Sequence, residues 1–267
     1  MKSKERLKAI LWLHLKRIGR YKYGFTNMIL VDTMWYLIFL LGALTFVPRE
    51  EYVETVVITF WGIVLWVMLN NWVWLIGNWT WFALSAGLVD EHIIRGVNPL
   101  AFIGGRFIVA SLITLFTIPV VITIFSLLAG IAIYVVYNPF YLTLGIIYMI
   151  IYATLYALIL VAISLRTSVP GVMLDVTTIF LYIGGGLGVP VYKMPPVLRY
   201  VALALPYTHA AEIVRYGALG LEPYIGLYNE VLIGGAYALA MAATTYIIAS
   251  RVMRYVRRYG ARSIGIM

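Results

Sequence analysis

Long apolar runs separated by short polar ones set the pattern of this chain. Six stretches qualify as membrane spans: Met28–Val47, Val53–Ile76, Phe107–Val136, Phe140–Leu165, Val169–Val189 and Glu230–Ser250. A helix needs about 20 mostly apolar residues to cross the hydrocarbon core. The runs do not alternate residue by residue, so they predict helices rather than the strands of a closed barrel. The third run is long enough to tilt, and Pro119 within it predicts a kink, because proline removes a backbone donor. Pro170 stands where a first-turn proline belongs in the fifth run.

Between these runs the pattern changes. Residues 1–23 are amphipathic, with Leu7, Leu11, His14 and Ile18 on one helical face and Arg6, Lys16, Arg17 and Arg20 elsewhere. This predicts a helix lying in the membrane interface, with Trp12 at headgroup depth. Its basic part is too long for a signal-peptide leader. Residues 84–97 read as a short amphipathic helix in which Leu88, Ile93 and Ile94 are apolar and Asp90 and Glu91 acidic, stopped by Asn98-Pro99. Residues 190–228 hold two helical pieces divided by Pro206, each too short to cross. Arg199, His209, Glu212 and Arg215 make that region too polar to face lipid, so it reads as a re-entrant hairpin buried against protein. Glu212 and Arg215 are three apart and can pair on one face. Residues 251–267 form a basic tail.

Composition sharpens the class. The chain is 63% hydrophobic and 12% charged, with a mean hydropathy of +0.93. A soluble domain cannot cover that much apolar surface. The net charge of +9 is the signature of cytoplasmic segments beside anionic lipid rather than of nucleic-acid binding. With both termini inside, sixteen of the twenty Lys and Arg fall on cytoplasmic segments. The expected architecture is therefore an all-α, multi-pass protein of the plasma membrane with both termini cytoplasmic. It has six transmembrane helices, an N-terminal interfacial helix, a cytoplasmic helix between spans two and three, and an outer re-entrant helical hairpin.

Chemical motifs are sparse. There is no Gly-Lys pair, hence no phosphate-cradling loop for ATP, and no HExxH, GxSxG or EF-hand pattern. Cysteine is absent, and the three histidines, at 14, 92 and 209, lie in separate regions. We expect no catalytic residue, no metal site and no cofactor bound by this chain. Gly184–Gly186, near the outer end of the fifth run, suits close helix approach or local unwinding. Ionisable and amide groups within spans are costly and face cavities or partners. This singles out Asp175, for a cavity or subunit contact, together with Asn70 and Asn71, while Asp32 reads as capping or interfacial.

Three features taken in order resemble the permease subunits of type-2 ABC exporters. The first is an interfacial helix leading into six spans with both ends inside. The second is a coupling helix between spans two and three, matched by Gly87, Asp90 or Glu91, Ile93, Ile94 and Pro99. The third is the outer hairpin, matched by Pro195, Pro196, Leu205, Pro206, Thr208 and Arg215. The acid-to-proline interval is longer here than in the family pattern, so Asp90 and Glu91 both stay open as its acidic position. The resemblance covers nearly the whole chain.

It implies a permease dimer docked on two copies of an ABC ATPase subunit, which would carry the ATP and Mg. Gly87, Leu88, Asp90, Glu91, Ile93, Ile94, Arg95 and Pro99 would then couple to the ATPase, Leu88, Ile93 and Ile94 as its buried anchor. Trp66, Asn70, Asn71, Asp175, Ile179 and Tyr182 would line the translocation path, and Pro206, His209, Glu212 and Arg215 the outer gate. The expected cargo is lipid-like, drug-like or otherwise amphipathic. A secondary transporter or channel working without an ATPase is the alternative, and a membrane enzyme of lipid or glycan metabolism a third reading.

Overall fold

The computed structural model describes residues 3–48, 51–130, 136–167 and 179–260. Among them all regular structure is helical. The chain runs through α1 (Ser3–Arg20), α2 (Lys22–Phe46), α3 (Tyr52–Ser85), α4 (Leu88–Ile94), α5 (Pro99–Gly104), α6 (Phe107–Ala129) and α7 (Pro139–Thr167). Helical residues 179–184 and a 3-10 turn at Val191–Lys193 precede α8 (Pro196–Leu203), α9 (Pro206–Leu219) and α10 (Leu227–Tyr259). Among the described residues five segments are long and apolar enough to cross a bilayer: Lys22–Gly42, Tyr52–Ser85, Pro99–Leu128, Pro139–Arg166 and Leu227–Tyr259. The chain is an all-helical membrane protein. Of the expected fifth span, residues 169–178 lie outside the described residues.

Several boundaries differ from the sequence reading. The second span does not stop at Ile76 but continues to Ser85, a helix of 34 residues about 51 Å long at 1.5 Å per residue. Its last turns mix Trp79, Trp81 and Phe82 with Asn78 and Thr80, which lowers hydropathy without breaking the helix. The predicted helix over 84–97 is correspondingly shorter, because residues 84 and 85 belong to α3. Residues 251–259 of the expected basic tail form the end of the last helix, α10, which places Arg251, Arg254, Arg257 and Arg258 on a helix. The first span begins at Lys22, directly after α1.

The helices pack through small residues. A Cβ on Gly217 of α9 would collide with the backbone of Leu142 on α7. One on Gly145 would lie 2.6 Å from Val214 Cγ2 and 2.9 Å from the Ala210 carbonyl. Such backbone-to-backbone approach drives helix association where lipid offers no hydrophobic gain. Tyrosines then tie α7 to α10, Tyr152 donating to the Gly234 carbonyl at 2.7 Å and Tyr148 to Val231 at 3.1 Å.

Side-chain contacts group the helix ends. His14 of α1 donates through Nε2 to the Phe102 carbonyl of α5 at 3.0 Å, and the His92 ring of α4 lies 4.2 Å from that of Phe102. Arg166, near the end of α7, sits over Tyr255, near the end of α10. These ends form a basic end of the bundle. At the opposite end Asn138 N donates to the Gly217 carbonyl at 2.7 Å, joining the start of α7 to the end of α9.

Candidate functional site

The segment 87–99 is built as a projection. Gly87 and Gly96 bracket α4 with φ of 66° and 68°, a left-handed backbone that glycine adopts without a Cβ penalty. Asn98 Oδ1 accepts from Leu100 N at 3.0 Å and Pro99 occupies the first turn of α5, so the chain re-enters the bundle at once. Val89, 1% exposed, fastens α4 inward. Leu88 and Ile93 also pack against the core, whereas Ile94 is 85% exposed. The expected anchor of Leu88, Ile93 and Ile94 is thus corrected: on this short helix Leu88 and Ile93 turn toward the chain's own core, and Ile94 alone of the three projects. Asp90, Glu91 and Arg95 are exposed, Glu91 and Arg95 joined at 2.6 Å. That pair is worth only a few tenths of a kcal/mol at the surface, so it can open to a partner at little cost. Burial holds the His92 pKa below its usual 6.5, with Glu91 opposing and Arg95 assisting. His92 is therefore neutral at pH 7 and contributes packing rather than charge.

The path candidates separate into three groups. Trp66 and Tyr182 do meet, with ring centroids 5.3 Å apart, and Phe39 of α2 completes the cluster at 5.6 and 5.8 Å from them. Asn71 donates to Asp32 Oδ2 at 2.6 Å, with Asn70 half-buried beside it. The two residues line a cavity of about 220 Å³ with Asn27 and Trp74. Asp32 is not a cap. It lies inside α2, and α3 presents an amide to it across the helix pair. Ile179 is exposed and joins neither group. Asp175 lies outside the described residues.

The hairpin candidates form one buried constellation. Pro206 opens α9 at its first turn, and every residue from Tyr207 to Ala218 except Tyr216 is buried. Arg215 donates to Glu212 Oε1 at 2.7 Å, the expected pair. It also donates to the Gly186 and Leu187 carbonyls at 2.6 and 2.8 Å, and Glu212 Oε1 accepts from Val191 N at 3.2 Å. The Thr208 hydroxyl lies 2.8 Å from the Gly185 carbonyl. The glycine-rich turn 184–188 is thereby clamped onto α9, and its Leu187 carbonyl abuts Gly62 of α3. His209 Nδ1 pairs with Glu230 Oε2 of α10 at 2.5 Å and stacks on Tyr237. Glu230, fully buried, escaped the sequence reading. Its one signal was an acid placed at the entrance of an apolar run.

Among the described residues no three His, Asp or Glu side chains converge as metal ligands. The chemistry available is thus charge display at α4, an amide–carboxylate pair within the helices and a buried ionic clamp on the hairpin. In comparisons with known proteins the sequence matches no family model and no curated protein.

Proposed function

We propose that this chain is the permease subunit of an ATP-driven exporter of the type-2 ABC kind. The observation that carries the proposal is α4. It is a short helix held out from the basic end between two left-handed glycines, fixed inward by Val89 and turning Asp90, Glu91, Ile94 and Arg95 outward. The concentration of Lys and Arg at that end favours a cytoplasmic placement. A soluble ATPase groove would receive Ile94 as an apolar anchor and read the flanking charges for orientation. If the groove grips α4 differently in two nucleotide states, ATP turnover shifts the equilibrium between inward- and outward-open forms. A second copy of the chain would complete the pathway, with the Phe39, Trp66 and Tyr182 rings facing an amphipathic cargo and the clamped hairpin closing the outer end.

Glu91→Arg tests the reading. The substitution reverses an exposed charge and leaves the bundle core alone, so expression and thermal stability should match the parent while ATPase co-purification falls. Full complex recovery and transport by this variant would remove α4 as the coupling element.

Asp32 favours a second reading. A carboxylate held by Asn71 beside a cavity suits an ion-coupled transporter needing no ATPase. Loss of a pH-driven substrate gradient in Asp32→Asn, with no ATP requirement in proteoliposomes, would establish that reading instead.

A further inference from the structure

A second cavity, of about 350 Å³, opens at the basic end where α1, the start of α2, the last turns of α3 and the start of α6 meet. His14, Arg17, Trp79 and Arg106 form its polar wall, and Phe25 and Met28 are among its apolar lining. The Arg17 and Arg106 guanidiniums lie 4.6 and 4.7 Å from the centroid of the same Trp79 ring. Those distances bound their separation at about 9.3 Å. Two like charges so placed repel, and the ring face relieves only part of that. Among the described residues no carboxylate lines the cavity.

Arg17 Nη1, Arg106 Nε and Trp79 Nε1 are buried N–H groups without a protein acceptor. His14 is wholly buried and spends Nε2–H on the Phe102 carbonyl, leaving Nδ1 with no protein partner. Burial, with Arg106 and Arg17 adding to it and the Phe102 hydrogen bond opposing, keeps the pKa of His14 below 6.5. His14 Nδ1 is therefore a lone-pair acceptor at neutral pH. A site offering several cationic or N–H donors and one acceptor fits an oxyanion with an adjoining hydroxyl. Guanidinium forks match phosphate in particular.

We propose that this cavity binds the headgroup of an anionic phospholipid, with Arg17 and Arg106 on the phosphate and His14 Nδ1 accepting from a headgroup hydroxyl. Three observations favour a lipid over a soluble phosphate ester. The cavity wall belongs to an amphipathic helix with Trp12 exposed. Phe25 and Met28 continue the lining onto α2. The neighbouring surface of α2 is apolar, with Leu30, Met34 and Trp35 exposed. The bound lipid would join α1 to α3 and α6. The proposal holds whether or not an ATPase docks at α4.

The test uses the full chain in an uncharged detergent, with native mass spectrometry and thermal unfolding as readouts. The probes are short-chain phosphatidylglycerol, phosphatidic acid and phosphatidylcholine of equal chain length, and glycerol 3-phosphate. One phosphatidylglycerol per chain should bind and raise the melting temperature. Arg17→Gln and Arg106→Gln should each weaken that binding about tenfold, the loss expected from one charge-assisted contact. Lys8→Gln, on the exposed side of α1, should leave it unchanged. His14→Phe should keep phosphatidic acid binding but abolish the preference for phosphatidylglycerol. Arg17→Gln, on the peripheral helix, remains informative even if Arg106→Gln fails to fold. Equal binding of phosphatidylcholine, or unchanged binding in both arginine variants, would overturn the proposal. Equal affinity for glycerol 3-phosphate would overturn its lipid assignment.

Discussion

Replacing Arg215 by methionine keeps most of the side-chain length but deletes a guanidinium that makes hydrogen bonds to Glu212, Gly186 and Leu187. Both members of the pair are almost sealed from solvent, at 3% side-chain exposure each, so surface screening does not weaken it. Removing one partner of a buried pair costs about 3–5 kcal/mol, chiefly because the other charge is stranded. Here the loss also frees two carbonyls of the 184–188 turn and leaves Glu212 with only Val191 N. At 2–4 °C per kcal/mol for a chain of this size, the melting temperature should fall by about 6–20 °C. Glu212→Gln should also destabilise, since it keeps an acceptor for Arg215 and Val191 but leaves the buried guanidinium without its counter-charge. The assay is thermal unfolding in detergent followed by the aggregation-sensitive elution profile of the purified protein. A shift under 2 °C for Arg215→Met, or no shift for Glu212→Gln, would refute the claim that this pair clamps the hairpin.

Other outcomes follow from the same contacts. Gly217→Val should abolish recovery of monodisperse protein because its side chain meets the Leu142 backbone, while Gly42→Ala, with open space around it, should be tolerated. His14 has a folded pKa below its unfolded 6.5, so the unfolded segment takes up a proton first as pH falls. Its contribution to the docking of α1 is complete above pH 6.5 and declines below it. Hydrogen exchange over residues 3–20, corrected for intrinsic rates, should show protection that is constant above pH 6.5 and fades below it, and pH-independent protection would contradict this. Gly87→Ala forces a Cβ into left-handed backbone at a cost of about 1–2 kcal/mol, so it should impair ATPase recovery more than bundle stability; equal loss of both in the purified complex would count against α4 as an independent projection.

What the sequence made legible was local. The apolar runs located, among the described residues, five helices long and apolar enough to span, because that needs nothing more than length and hydropathy. Glu212 and Arg215 could be paired because residues three apart on a helix share a face. Pairings across helices had no such signature. Asn71 finds Asp32 across 39 positions and His209 finds Glu230 across 21, and neither spacing says which helices are neighbours. The same holds for Arg17 and Arg106, which Trp79 brings together. Amphipathicity placed Leu88 and Ile93 on an apolar face correctly. It could not tell whether that face met a partner or the chain's own core.

The central claim is that α4 docks a soluble ATPase, and affinity purification of the tagged chain from its native membrane, with ATP hydrolysis assayed in the eluate, tests it most directly. The account predicts a stoichiometric ATPase subunit that is retained by the parent and lost in Glu91→Arg. A pure homo-oligomer without ATPase activity, still able to move substrate in proteoliposomes, would contradict it.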